Sequence, residues 1–88
     1  MVAYCKIDIG AVNQTAFIMD GTKYIGNFTF TTDTLPQDIA KYCAKHGTLN
    51  EIILAGNENM LSQYKTDIEK QGILDYANNP IKVTIQGV

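Results

Sequence analysis

Apolar and polar positions alternate from Val2 to Ile9, with Ala3, Cys5, Ile7 and Ile9 on one side and Val2, Tyr4, Lys6 and Asp8 on the other. A period of two is that of a strand, here with one wholly apolar face. Gly10 to Asn13 suits a turn, and Gln14 to Met19 reads as a second strand. Asp20-Gly21 is a strong hairpin dipeptide because both residues tolerate positive φ. It leads into a third strand, Lys23 to Thr31, with Tyr24, Phe28 and Phe30 on one face and Ile25, Asn27, Thr29 and Thr31 on the other. The first third of the chain therefore predicts an antiparallel meander.

The period then changes. Thr34-Leu35-Pro36-Gln37 combines a Thr N-cap, a Gln three residues later and a Pro in the first turn, all signals of a helix start. Ile39, Tyr42, Cys43 and His46 follow at helical spacing, and Gly47 supplies the stop. Glu51 to Ala55 is a nearly unbroken apolar run, as expected of a central strand. A second helix spans Asn59 to Gln71 with Leu61, Tyr64 and Ile68 on one stripe and Gly72 as cap. Asn78-Asn79-Pro80 makes a turn, and Ile81 to Ile85 alternates as the last strand.

The order β-β-β-α-β-α-β predicts an α+β domain over residues 1–88, with a mixed sheet that is antiparallel at one side and parallel at the other. Both crossovers progress in the same direction across the sheet, and right-handed connections then place both helices on one face. The other face is left without cover. It would carry Val2, Tyr4 and Lys6 from the first strand, which are the candidate interface residues, and one of Ile52 or Ile53 from the fourth.

Composition narrows the chemistry. With 45% hydrophobic and 18% charged residues the chain belongs to the folded globular class. Seven basic against nine acidic residues give a net charge of -2, and the lysines are scattered, so no basic face favours nucleic acid. Cys5 and Cys43 lack metal or redox spacing and read as reduced, small apolar residues. The N-terminus has no signal-like pattern and no apolar run approaches the ~20 residues that span a bilayer, so the expectation is a cytoplasmic protein without membrane contact.

The segment from Ile7 to Gly21, IDIGAVNQTAFIMDG, and the segment from Glu51 to Gln71, with the order of elements around them, resemble the ribonuclease H-like fold. Within it the chain is similar to one subdomain of the actin-like ATPase and sugar-kinase superfamily. The resemblance implies a five-stranded sheet in the order 3-2-1-4-5. It also implies that Asp8 and Gly10 match an Asp-x-Gly hairpin that embraces phosphate and its magnesium. Asn13 falls where a polar residue follows in that hairpin, and Gly56-Asn57 fall at the start of the later loop beside the nucleotide. Asp8 would hold Mg2+ through water, Gly10 would let backbone amides approach, and Asn13 would bond a phosphate oxygen.

The later loop reads Ala55-Gly56-Asn57-Glu58, with one glycine where that superfamily has two. Such ATPases close two subdomains around the nucleotide, and 88 residues supply one. The resulting expectation is a non-catalytic binding or assembly module without a cofactor of its own, associating with itself or a protein partner through the open face or an edge strand. The alternative is a phosphate or Mg-nucleotide binder whose cleft a second chain completes. A minimal nuclease ranks below both: two-metal cleavage needs several converging carboxylates, and Asp8, Asp38 and Glu58 have no further acidic residue on a helix after the last strand. His46, the one histidine, sits near a helix C-terminus, where a cation suits the dipole.

Overall fold

A computed structural model describes residues 1–7, 13–31, 33–56 and 58–87, and the side chains of these apart from residues 6, 7, 58–60 and 87. The elements are β1 (Val2–Ile7), β2 (Asn13–Asp20), β3 (Lys23–Thr31), α1 (Leu35–His46), β4 (Glu51–Gly56), α2 (Glu58–Gln71) and β5 (Lys82–Gly87). They build one five-stranded sheet in the order β3-β2-β1-β4-β5. β1 pairs antiparallel with β2 and β2 with β3, whereas β1–β4 and β4–β5 are parallel. This is the expected α+β topology.

Alternation decides which side of the sheet is buried. Ala3 and Cys5 of β1, Ala16 and Ile18 of β2, and Ile52 and Leu54 of β4 are fully buried. They share one core with Leu35 and Ile39 of α1 and with Leu61 and Ile68 of α2. Both helices therefore cover the same face. Between Ile52 and Ile53 the structure makes the choice: Ile52 registers with Ala3 and is buried, and Ile53 registers with Tyr4 on the open side. Asn50 N–H donates to Met1 C=O at 2.7 Å, fastening the start of β4 to the start of β1.

Three local readings are corrected. The β2–β3 loop is Gly21-Thr22, closed by the pair Asp20–Lys23, so Asp20 ends β2. Its positive φ, +63°, falls at Gly21, the first loop residue, where a type II′ hairpin needs glycine. Second, Tyr24 does not share a face with Phe28 and Phe30. The register slips between Ile18, opposite Gly26, and Met19, opposite Tyr24, leaving Ile25 as the extra residue of a β-bulge. One added residue reverses the alternation, so Tyr24 joins Phe17 and Met19 on the open side.

The third correction concerns the start of α1. Thr34 holds the N-cap position, yet its side chain bonds none of the helix's first amides. Its hydroxyl donates to Asp38 Oδ2 at 2.7 Å and accepts the Thr31 N–H at 3.2 Å. Thr34 N–H donates to Thr31 C=O at 3.2 Å. The residue thus ties the end of β3 to the first turn of α1 and forms no capping box with Gln37. At the other end Gly47, at φ +107°, donates its N–H to Cys43 C=O at 2.9 Å. α2 stops at Gly72, φ +74°. In the following turn Asp75 Oδ1 accepts the N–H groups of Ala77 and Asn79 at 2.9 and 3.0 Å.

Candidate functional site

The carboxyl ends of the parallel strands lie side by side: Ile7 registers with Gly56, and Gly56 with Gly87. Asn13, at the start of β2, is exposed at this same end of the sheet, three residues before Ala16, the partner of Cys5. Gly56 is buried with φ +144°, a conformation that L side chains rarely adopt. Of the residues expected to hold phosphate, Asn13 and Gly56 are therefore brought to the end where ligands collect in open sheets. Asp8, Gly10 and Asn57 lie outside the described residues. Among the described residues no three His, Cys, Asp or Glu side chains cluster as a metal site. Asp38 lies in the first turn of α1 beside edge strand β3, engaged with Thr34. Glu58 opens α2, and its side chain is not among those described.

The uncovered face of the sheet is the second candidate. Register places its residues in rows across the strands. Tyr24, Met19, Val2, Glu51 and Lys82 form one row, and Asn27, Phe17, Tyr4, Ile53 and Thr84 the next. Four of these ten side chains, Val2, Met19, Phe17 and Ile53, are apolar, and two are tyrosines that bring apolar rings. Phe17 is 41% exposed and Tyr24 52%, and their rings meet at 6.1 Å between centroids. Val2, Tyr4, Met19 and Ile53 are half-buried. Of the expected interface residues, Val2 and Tyr4 are on this face. Lys6 registers with Ala55, and its side chain lies outside those described.

Polar contacts frame the apolar patch at the β5 side. Tyr4 OH donates to Gln86 Oε1 at 3.2 Å across β4, passing from the row of Ile53 to that of Ala55. Glu51 Oε2 accepts the Thr84 hydroxyl and lies 3.9 Å from Lys82 Nζ. At the β3 side Asn27 Nδ2 donates to Tyr24 OH. An apolar centre with a satisfied polar rim is the arrangement of a protein contact surface.

Reading the chain alone identified Val2 and Tyr4 and missed Phe17, Met19 and Tyr24. Phe17 and Met19 alternate with buried Ala16 and Ile18, and that signal was present in QTAFIM. Tyr24 could not be found that way, because the bulge at Ile25 breaks the alternation on which face assignment rests.

A third feature is a groove of about 310 Å³ between edge strand β3 and α1, lined by Asn27, Phe28, Thr29, Asp38, Lys41, Tyr42, Lys45 and His46. Its floor is an aromatic ladder: Phe28 stacks on Tyr42 at 5.4 Å and 28°, and Tyr42 meets His46 at 4.7 Å. The Tyr42 hydroxyl is pushed above its ordinary range by burial first, then by Cys43 and Tyr76.

Neither cysteine is poised as a nucleophile. Both are free, and burial pushes the Cys5 thiol up to about 12. Cys43 is also raised by burial, partly opposed by a backbone hydrogen bond from Leu49. A thiol held neutral is a poor nucleophile and a poor metal ligand.

Compared with protein-family models, curated proteins and solved structures, the chain matches none. No helix among the described residues is long and apolar enough to cross a membrane.

Proposed function

We propose that this chain is a small, non-catalytic assembly module that associates with a second copy of itself through the open face of its sheet. The observation that carries the reading is the exposure of Phe17 and Tyr24, 41% and 52%, within a continuous apolar patch on a face that neither helix covers. Burying even a few hundred Å² of such surface, at about 25 cal/mol per Å², contributes several kcal/mol before the cost of association. Among the described side chains of these rows the charges stand at one margin, at Glu51 and Lys82, where they pair with each other. A like copy therefore meets the rows of Phe17 and Met19 without charge repulsion from them. The element order and the 3-2-1-4-5 sheet support a ribonuclease H-like topology like that of the actin-like subdomain. Light scattering over a concentration series is the test: masses above one 9.7 kDa chain are expected, and a mass that stays at 9.7 kDa contradicts the reading.

A second reading has its own support in the alignment of Ile7, Gly56 and Gly87 at one sheet end, with Asn13 beside them. It takes this end as a phosphate or Mg-nucleotide site, with Asp8 binding the ion through water and a second chain closing the cleft. Magnesium would supply charge to neutralise phosphate, and Asn13 would supply an amide to orient it. A rise in melting temperature with Mg-ATP that Asp8→Ala abolishes is its signature. Mg- or Mn-dependent cleavage of a nucleic acid, lost in Asp8→Asn, would instead support the nuclease reading.

A further inference from the structure

The Thr34 contacts reveal which way the backbone of β3 faces. Thr31 N–H donates to Thr34 Oγ1 and Thr31 C=O accepts from Thr34 N–H, both at 3.2 Å, so both backbone groups of Thr31 point away from β2. In an antiparallel strand the two groups of one residue point the same way, and the direction alternates along the chain. Thr29 and Asn27 therefore also turn N–H and C=O outward, whereas Phe28 and Phe30 bond to β2. β3 is the sheet's edge, so no strand among the described residues pairs with them. Thr34 satisfies this edge at Thr31 and leaves the next two outward-facing residues open.

Those two residues form one wall of the groove of about 310 Å³, and α1 forms the other. A strand laid in it would add to the sheet. Its side chains on the helix side would meet Tyr42, Lys41, Lys45 and His46. Lys41 and Lys45 are exposed and one helical turn apart. Asp38, which accepts the Thr34 hydroxyl, is the one carboxylate among the lining residues, against Lys41 and Lys45. The balance of these charges is positive although the whole chain carries -2.

We propose that this groove takes an extended acidic peptide by β-strand addition to β3. Backbone bonds to Asn27 and Thr29 supply affinity, and a carboxylate side chain directed at Lys41 and Lys45 supplies selectivity. The bulge at Ile25 limits the added strand to the Asn27–Thr31 half of the edge, because a bulge twists an edge away from regular pairing. The proposal extends the assembly reading to a second surface, and each can fail without the other.

The test uses the intact chain and a labelled peptide of alternating Val and Glu flanked by Thr, followed by amide NMR shifts and fluorescence anisotropy. Shifts at Asn27, Thr29 and α1 are expected, and Lys41→Glu with Lys45→Glu should weaken binding about tenfold or more. Thr29→Pro removes one outward donor at a place where edge strands tolerate proline, and should abolish binding while Thr29→Val retains it. Should Thr29→Pro not fold, the same peptide N-methylated at alternate residues, offered to the wild type, must fail to bind. Phe17→Glu must bind the peptide as the wild type does, whatever it does to self-association. Equal binding of a peptide with Lys in place of Glu, undiminished binding to Thr29→Pro, or shifts at these residues with inorganic phosphate but not with the peptide would each overturn the proposal.

Discussion

Met19 stands opposite Tyr24 across the β2–β3 ladder, one residue out of step with the neighbouring pair Ile18–Gly26. Because of that step Tyr24 reaches the open face and packs against Phe17 at 6.1 Å. The apolar patch owes its outer end to a single inserted residue, Ile25.

Deleting Ile25 should therefore leave the structure intact. Without it Tyr24 directly precedes Gly26 in regular alternation and still opposes Met19. The expected result is a melting temperature within a few degrees of wild type and a retained Met19–Tyr24 nuclear Overhauser contact. Were the hairpin instead regular throughout, the deletion would throw Tyr24 and Lys23 to the wrong faces and destabilise the chain markedly.

Ile52 and Ile53 are neighbours in sequence with opposite roles. Ile52 is fully buried under the helices, so Ile52→Ala should cost about 2–5 kcal/mol in denaturant unfolding. Ile53→Ala removes a half-buried side chain from the open face and should cost less than half as much, while weakening self-association. Equal losses of stability would mean that both faces are covered within one chain.

Cys5 makes a pH prediction with a definite sign. Its thiol rises from an ordinary 9.0 to about 12 because burial disfavours the thiolate. Above the ordinary value the unfolded chain loses this proton and the folded chain keeps it, so the unfolded state binds fewer protons and stability falls with rising pH. The fall begins near pH 9 and ends near pH 12, with a slope approaching about 1.4 kcal/mol per pH unit from this group. Unfolding free energies at pH 8 and pH 10, compared between wild type and Cys5→Ala, should show a steeper decline in the wild type.

The ion pair at the margin contributes little. Lys82 Nζ is 3.9 Å from Glu51 and its side chain is 75% exposed, so Lys82→Ala should change stability by less than about 0.5 kcal/mol. Glu51→Ala also removes the acceptor of the Thr84 hydroxyl and should cost more, about 1 kcal/mol. A double-mutant cycle separates the two contributions.

Alternation and capping signals were enough to locate every strand and helix to within about three residues, because β1, β2 and β4 each bury one clean face under α1 and α2. Three features were not legible, each for a physical reason. The bulge at Ile25 is marked only by the adjacent Gly26, and a lone glycine inside a strand does not say which residue is inserted. The sequence around Thr34 fits a helix cap, but its hydroxyl is spent on Thr31 and Asp38, a choice set by how closely β3 and α1 approach. The groove beside β3 depends on which backbone groups face outward, and side-chain pattern carries no record of that. For the expected phosphate site, Asn13 and Gly56 fall at the right end of the sheet, and Asp8, Gly10 and Asn57 lie outside the described residues.

Sedimentation equilibrium of the wild type beside Phe17→Glu tests the central claim most directly. Phe17 is exposed in the single chain, so the charge should leave the melting temperature nearly unchanged while placing a carboxylate at the centre of the patch. A concentration-dependent dimer is expected for the wild type and a 9.7 kDa monomer for the variant. A wild type that remains monomeric into the high micromolar range, or a variant that associates as well as the wild type, would contradict it.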